Sequence, residues 1–301
     1  MSKVCYSKPA LTLQEQVEQL RNRGMVIADE PLAIHYLGHL NYYRLAAYWL
    51  PFEADHQNHT FIAGTTFEQI LDRYVFDREL RLLLIDAIER VEVALRTQFA
   101  YQLSHVYGAH FLLQSGLFQA QGRNWSYLAS LNQLVSDVAN SRERFISHLN
   151  NKYSEPLPPV WAVVEIMTLG QLSKWYANLT GGADRNRVAH HFDFDEVTLV
   201  SFMHHLAVVR NYCAHHSRVW NRDFTFTFKL PKHRPGTVIA SLNRSAPKKL
   251  YNTLVLLACL LDQISPGHHW KQRLKHLFND HSIPEQEMGF PANWQQLPIW
   301  Q

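Results

Sequence analysis

Residues 208–222 bring together side chains that can act on a phosphate ester. The segment reads ValValArgAsnTyrCysAlaHisHisSerArgValTrpAsnArg, so Arg210, Asn211 and His215 stand at the end of an otherwise apolar helix. On a helix Asn211 and His215 lie four residues apart and share a face, and Arg210 is the neighbouring position with a long reach. Three polar groups can therefore converge on one reacting group.

These residue types suit cleavage of RNA without a metal ion. Histidine titrates near neutral pH and can act as general acid or general base. Arginine offers a planar fork of donors to a phosphate that gains charge in the transition state, and asparagine can orient the phosphate or the imidazole. RNA supplies its own nucleophile, the ribose 2′-hydroxyl. The pattern thus predicts that Arg210, Asn211 and His215 are the catalytic residues of a ribonuclease.

A second catalytic group is still needed. This reaction is best served by an acid and a base on opposite sides of the phosphate, and one helix offers one catalytic histidine. Either His216 or another nearby histidine supplies the second group, or two copies of the chain pool their motifs across a twofold axis. We favour the homodimer.

The residues around and after the motif are candidates for contacting RNA. Arginine and tryptophan can bind phosphate and stack on bases, but the same residues can instead cap and close the helix end. Both interpretations stay open for Arg218, Trp220, Asn221 and Arg222, and His216 is a further candidate for supporting the site or contacting RNA.

Two groups elsewhere in the chain also allow two interpretations. Tyr43 and Arg44 belong to an aromatic-rich stretch that can stack on unpaired bases or pack in the core. Glu89, Glu92 and Arg96 lie three and four residues apart, so they form one line along a helix. That line can support the motif from behind, or it can be an ordinary surface ladder of ion pairs.

Cysteine spacing gives no indication of a metal centre. The cysteines are Cys5, Cys213 and Cys259, too few and too widely spaced for a disulfide framework or a multi-cysteine zinc site. Cys213 lies within the motif, but its apolar neighbours indicate a packed side chain rather than a nucleophile. We expect no metal and no cofactor.

Histidines occur in four adjacent pairs, which raises the question of a metal again. Neighbouring histidines point apart on a helix, and the sequence has no HExxH pattern. We expect His204 and His205 to lie on a helix surface. The pairs are His190–His191, His204–His205, His215–His216 and His268–His269.

The composition is that of a globular chain, with 47% hydrophobic and 18% charged residues. The net charge of +3 is too small to indicate nucleic-acid binding by itself, although arginine and lysine cluster in residues 210–222 and 229–249. The first residues have no apolar signal core, and no apolar run is long enough to span a bilayer. We expect a soluble cytoplasmic protein without membrane contact.

Apolar periodicity predicts a mostly helical chain. The longest predicted helix covers residues 67–104, which contain neither proline nor glycine. Phe224, Phe226 and Phe228 alternate with threonines and predict the one strand, part of a small β-hairpin near residues 224–230. Other helices are predicted over 12–23, 31–40, 125–149, 161–179, 196–213, 250–264 and 270–278, followed by an irregular C-terminal tail over 283–301.

The motif and several blocks along the chain resemble a known family. ArgAsnTyrCysAlaHis has the form RxxxxH with a polar residue after the arginine, and it resembles the active-site signature of the HEPN ribonuclease superfamily. The rest resembles the Abi (AbiD/AbiF-like) abortive-infection family, in blocks that follow the family order from residue 8 to about 280. These blocks are AsnTyrTyrArgLeu at 41–45, PheAspArgGluLeuArg at 76–81, IleGluArgValGlu at 88–92, ValTrpAlaValValGlu at 160–165 and CysAlaHisHisSerArgValTrpAsnArg at 213–222.

The resemblance implies an all-α, HEPN-type helical bundle with an N-terminal helical extension. We expect one domain over residues 8–282, in which residues 8–62 pack on a core formed by residues 66–280. The resemblance further implies a composite dimeric site and an antiphage ribonuclease that halts the growth of infected cells. Some family members are restrained by a small structured RNA encoded nearby, so a noncoding RNA joins the expected partners. The alternative is a defence protein that binds RNA or a partner protein without cutting.

Overall fold

The computed structural model describes residues 5, 7–281 and 283–301, and α-helices dominate this part of the chain. The prediction of a mostly α-helical fold is therefore confirmed, while its HEPN-type arrangement stays a prediction. The helices are α1 (Leu13–Asn22), α2 (Glu30–His39), α3 (Tyr42–Trp49), α4 (Phe67–Tyr107), α5 (Tyr127–Asn140), α6 (Arg144–Lys152), α7 (Val160–Ile166), α8 (Leu169–Ala177), α9 (Gly182–His191), α10 (Glu196–Ala214), α11 (Gly236–Ser241), α12 (Tyr251–Ile264) and α13 (Trp270–Asp280).

Local capping explains where several helices begin. Thr12 forms a capping box with Glu15 at the start of α1, and Thr168 forms one with Gln171 at the start of α8. The second box divides the helix predicted over 161–179 into α7 and α8. The helix predicted over 125–149 is likewise divided, because the chain is extended at Ser141 between α5 and α6.

The small β-hairpins lie elsewhere than predicted. β1 (Glu53–Asp55) pairs with β2 (Thr60–Phe61), and β3 (Gln121–Gly122) pairs with β4 (Trp125–Ser126), both antiparallel. The hairpin predicted near residues 224–230 is wrong, since that segment forms no strand. Burial follows the alternation only in part: Phe224 and Phe228 are buried and Thr225 is exposed, but Phe226 and Thr227 are both half-buried.

The chain divides into two compact units. Unit 1 contains the described residues up to Leu80 together with those of Leu277–Ile283. In this unit, the buried Tyr48 hydroxyl donates to Asp77 Oδ2 at 2.6 Å, and Phe76 packs on Phe278 with ring centroids 5.3 Å apart. The prediction of a single domain over residues 8–282 is not decided by this division and stays a prediction.

Unit 2 comprises Arg81–His276 and Pro284–Gln301. Its centre is α12, in which every residue from Tyr251 to Leu261 is buried; a helix that is apolar on all sides needs such surroundings. The C-terminal segment has only short 3-10 turns, as an irregular tail would, but it is packed: Trp300 Nε1 donates to the Tyr251 hydroxyl at 3.1 Å.

His205 ties α10 to the interior of unit 2. Its Nδ1 lies 2.9 Å from the Phe226 carbonyl oxygen and its Nε2 lies 2.8 Å from Thr253 Oγ1. The surface position predicted for His205 is wrong, because the side chain is buried with both ring nitrogens satisfied. His204 is exposed, as predicted. A carbonyl can only accept, so Nδ1 carries a proton, and burial lowers the pKa of His205 to about 4, so the ring is neutral at pH 7.

Within the described residues, no helix combines the length and the apolar character that crossing a bilayer requires.

Replacing His205 with glutamine should flatten the pH dependence of stability. Burial lowers the pKa of His205 to about 4, whereas an unfolded histidine titrates near 6.5. Between these values the unfolded chain binds one more proton, so stability rises with pH and is full above about 6.5. We expect the wild type to lose about 2 kcal/mol between pH 7 and pH 5 that His205→Gln does not lose. Urea unfolding of both proteins across this range measures the difference, and parallel curves would contradict it.

Candidate functional site

The predicted catalytic residues lie at the C-terminal end of α10. The helix begins at a cap in which Asp195 accepts from the Thr198 backbone N–H, and it ends with His215 as its C-cap. The His215 backbone N–H donates to the Asn211 carbonyl at 2.9 Å, so the two residues are one helical turn apart, as the sequence spacing predicts. Both side chains are exposed, and Arg210 is partly buried.

His216 closes the helix with a left-handed backbone conformation, at φ 56°. Its N–H donates to the Cys213 carbonyl at 3.1 Å, and the Ser217 N–H donates to the Tyr212 carbonyl at 2.8 Å. These two bonds form a Schellman motif, which satisfies carbonyl groups that the helix cannot satisfy itself. Glycine is the usual residue at this position, so His216 holds it at a conformational cost.

Arg210 and Asn211 are in contact through their side chains. Arg210 Nη1 lies 3.4 Å from Asn211 Oδ1, a long and weak hydrogen bond. Because this contact turns the amide oxygen towards the guanidinium, the Asn211 NH2 group is left to donate elsewhere. Among the described residues, the His215 imidazole has no hydrogen-bond partner, which leaves it available to a ligand.

The segment after the motif folds back onto the end of α10. Arg222 Nε donates to the Arg218 carbonyl at 2.6 Å, and its guanidinium lies over the Tyr212 ring at 4.2 Å from the centroid. Trp220 is fully buried, with the Arg218 guanidinium 5.6 Å from its ring centroid. For Trp220 the sequence left two interpretations open; its burial favours closure of the helix end and places the indole away from any RNA surface.

Asn221 is the second residue here with a left-handed backbone, at φ 45°. Its Oδ1 accepts from Lys249 Nζ at 3.0 Å, and the same ammonium group lies 3.2 Å from Asp223. Tyr212 and Lys249 were not singled out in the sequence, although both hold the returning segment. Tyr212 and Arg222 are ten residues apart in the sequence. They come into contact only because the chain reverses direction after α10, so their spacing alone did not predict the contact.

Glu89, Glu92 and Arg96 lie along α4, and Arg96 contacts the connection between two other helices, α7 and α8. Arg96 pairs with Glu92 and donates to the backbone carbonyls of Glu165, at 3.0 Å, and Met167, at 2.7 Å. It therefore fixes the connection between α7 and α8, while Glu89 is exposed. Support of the motif by these residues stays a prediction.

Tyr43 and Arg44 lie in unit 1 and have different surroundings from the aromatic residues next to them. Tyr43 is 76% exposed and Arg44 is exposed, whereas Tyr48 and Trp49 are each 1% exposed and pack in the core. Tyr43 is therefore exposed enough to stack on a base, whereas Tyr48 and Trp49 are too deeply buried to do so.

The remaining candidates, Cys213 and His204, both lie on α10. Cys213 is 1% exposed, which fits the packed side chain that the sequence predicts. Partial burial and the positive charge of Lys174 lower the pKa of His204. No three histidine, cysteine or acidic side chains among the described residues gather in a way that could hold a metal ion.

The left-handed position of His216 gives a test of the helix closure. We expect His216→Gly to be more stable than His216→Ala by about 1 kcal/mol, because only glycine adopts this conformation without a penalty. Both variants remove the imidazole, so the loss of its side-chain interactions cancels in the comparison. Chemical denaturation of the two variants measures the difference, and equal stability would show that the closure does not constrain residue 216.

Comparison with known protein families identified one match, the family described as Abi-like protein, over residues 35–221. The matched segment contains Tyr43, the line on α4 and the whole motif through His215. Comparisons with curated proteins and with solved structures found no match. The family match covers more than half of the 301 residues. The chain belongs to the Abi-like protein family, an abortive-infection family.

Proposed function

We propose that this chain is a metal-independent endoribonuclease of the HEPN type that acts in antiphage defence. The observation that carries the proposal is the placement of His215: an exposed imidazole at the end of α10, one turn from Asn211, beside an arginine that already contacts that asparagine. Membership in the Abi-like family supports the defence role.

The reaction assigned to this site is an internal phosphoryl transfer. A base removes the proton of the ribose 2′-hydroxyl, the 2′-oxygen forms a bond to phosphorus, and the bond from phosphorus to the 5′-oxygen breaks. An acid protonates the leaving 5′-oxygen. The products are a 2′,3′-cyclic phosphate and a 5′-hydroxyl end, so no water, oxidant or other co-reactant is consumed.

Each motif residue has one role in this reaction. His215 serves as general acid or general base, because it is exposed and its ring is free of partners among the described residues. Arg210 neutralises the charge that develops on the phosphate oxygens. Asn211, whose amide oxygen faces Arg210, orients the phosphate or the imidazole through its NH2 group. Arg218 and Asn221 lie on the returning segment and extend the polar surface next to the motif.

Replacing His215 with alanine should abolish cleavage. Loss of a general acid or base lowers the rate by about a hundredfold or more, while RNA binding should change little because the arginine remains. Cleavage of a labelled single-stranded RNA measures the rate, and analysis of the new ends should show 2′,3′-cyclic phosphates. His190→Ala is the matched control, since His190 is exposed on α9 of the same unit.

Three results would contradict this assignment. Cleavage or toxicity that survives His215→Ala would show that the chain acts without its motif, as an RNA-binding or partner-binding protein would. Cleavage at a site whose 2′-hydroxyl has been replaced by hydrogen would exclude the internal nucleophile. Loss of cleavage in the presence of a chelator would contradict independence from metal ions.

We further propose that the active form is a homodimer in which two motifs make one site. One α10 helix supplies one exposed catalytic histidine, and the reaction needs both an acid and a base. A twofold axis supplies the second group from an identical chain. A small noncoding RNA is the proposed restraint in uninfected cells, which rests on the resemblance of the sequence to family members restrained in this way.

Mixing experiments test the shared site. When wild-type chain is equilibrated with a large excess of His215→Ala, most wild-type protomers pair with an inactive partner. We expect cleavage per wild-type protomer to fall steeply, because each composite site then lacks one histidine. Activity that stays proportional to the wild-type chain alone would show that a single protomer is sufficient. The molar mass measured by light scattering gives the oligomeric state independently.

A further inference from the structure

Unit 1 contains a cleft of about 860 Å3 that has no part in the proposed ribonuclease site. Its walls come from the segment before α1, from α1 and α3, and from the β1–β2 hairpin. A cleft of this size is in the range that holds small organic ligands. The side chains around it fall into an aromatic half and a charged half, which together restrict the class of ligand.

The aromatic half is formed mainly by Tyr43, Trp49 and Leu50. Trp49 is buried in the wall, whereas Tyr43 and Leu50 are 76% and 48% exposed. The Tyr43 ring is presented from a fixed place, because its backbone N–H donates to Asn41 Oδ1 at 2.9 Å where α3 begins. An exposed aromatic ring on a fixed backbone is a platform on which a planar ligand can stack.

The charged half centres on Glu53, whose side chain is 3% exposed. His56 Nδ1 lies 3.0 Å from its carboxylate and His59 Nδ1 lies 3.4 Å from it. A carboxylate only accepts hydrogen bonds, so both Nδ1 atoms donate to Glu53 and both Nε2 atoms are left to meet a ligand. The two imidazoles are themselves 64% and 53% exposed.

Positive groups outnumber negative groups around the cleft. Lys8 and Arg23 line it as fixed cations, and Glu53 is the one acidic residue among the lining side chains. Arg23 Nη1 donates to the Tyr42 hydroxyl at 2.7 Å. Burial raises the pKa of Tyr42, so this hydroxyl keeps its proton and can donate to a ligand. The charged half therefore favours an anion.

We propose that the unit 1 cleft binds a nucleoside phosphate, with the base stacked on Tyr43 and the phosphate held by Lys8, Arg23 and the imidazoles of His56 and His59. Each imidazole donates to the phosphate through Nε2 in its doubly protonated form, in which Nδ1 still donates to Glu53. Glu53 positions the two imidazoles. A cationic ligand is disfavoured, because imidazoles contact the one carboxylate among the lining side chains and two fixed cations also line the cleft. The phosphate can belong to a free nucleotide or to the end of an RNA strand, which offer the same chemistry.

Calorimetric titration of the full chain tests the proposal with three probes: adenosine 5′-monophosphate, adenosine and inorganic phosphate. We expect the monophosphate to bind about tenfold or more tightly than either fragment. Tyr43→Ala should weaken its binding about tenfold, the usual loss when a base loses its stacking partner, and Tyr43→Phe should restore it. The double variant with His56→Gln and His59→Gln should bind the monophosphate more weakly than the wild type and should bind adenosine as the wild type does. Gln57→Ala, in the turn between the two histidines, is the matched control.

Short RNAs with a 5′-phosphate or a 5′-hydroxyl show whether the phosphate belongs to a free nucleotide or to the end of an RNA strand. Preference for the phosphorylated strand over the free nucleotide would assign the cleft to a strand end, and the reverse would assign it to a metabolite. Equal binding of adenosine and its monophosphate, no binding of any probe, or binding unaffected by Tyr43→Ala would overturn the proposal. So would a choline titration showing tighter binding than the monophosphate.

Different results would contradict the ribonuclease proposal and the cleft proposal. His215→Ala should abolish cleavage and leave the titration unchanged, since the cleft and the motif share no residue. Nucleotide binding that is lost in Arg210→Ala and kept in Tyr43→Ala would place the ligand at the motif and overturn the cleft assignment.

Discussion

The last turn of α10 leaves carbonyl groups that no later residue of the helix can satisfy, and the arrangement of the candidate site follows from how they are satisfied. The chain turns directly after the helix, with His216 in a left-handed conformation. The N–H groups of His216 and Ser217 therefore donate back to carbonyl groups of the helix. This sharp turn sends the following segment back along α10. It also fixes the direction in which the His215 side chain leaves the helix end.

Two kinds of contact stabilise the returning segment: buried side chains and contacts of cationic side chains. Val219 and Trp220 are both fully buried, which anchors the returning segment in unit 2. Arg222 stacks on Tyr212, and Lys249 bridges Asn221 and Asp223. Arg222 and Lys249 are thereby held in fixed positions, Arg222 on the Tyr212 ring and Lys249 beside Asn221 and Asp223. A polyanion approaching this end of α10 would meet positive charge whose positions are set by packing, which lowers the entropy lost on binding.

The parts that sequence could predict are those with a local cause. The capping threonine of α1, the long run of α4 and the four-residue spacing of Asn211 and His215 depend only on neighbours in the chain. α9 was not predicted; it begins at Gly182 with Gly181 as its N-cap, and glycines at a helix start give no helix signal in the sequence.

The failures have non-local causes. The alternating phenylalanines at 224–228 were expected to pair with a strand. In the structure the Phe226 carbonyl is bound by His205, the Phe224 N–H donates to the Lys248 carbonyl, and the Lys229 N–H donates to the Ser201 side chain. Burial of His205 likewise depends on Thr253, far along the chain. The same holds for the cleft in unit 1, where Lys8, Tyr43 and His59 are brought together only by folding.

The dependence of α10 on Thr253 has a consequence for synthesis of the protein. Residues leave the ribosome in order, and the motif emerges well before α12, which carries the hydroxyl that binds His205. Until α12 is made, the His205 imidazole lacks its Thr253 partner, although α10 can already pack on α8 and α9, which precede it in the chain. For the ribonuclease proposed above, we expect little cleavage by a nascent chain that ends before α12, because the hydrogen bond that completes the burial of His205 has not yet formed.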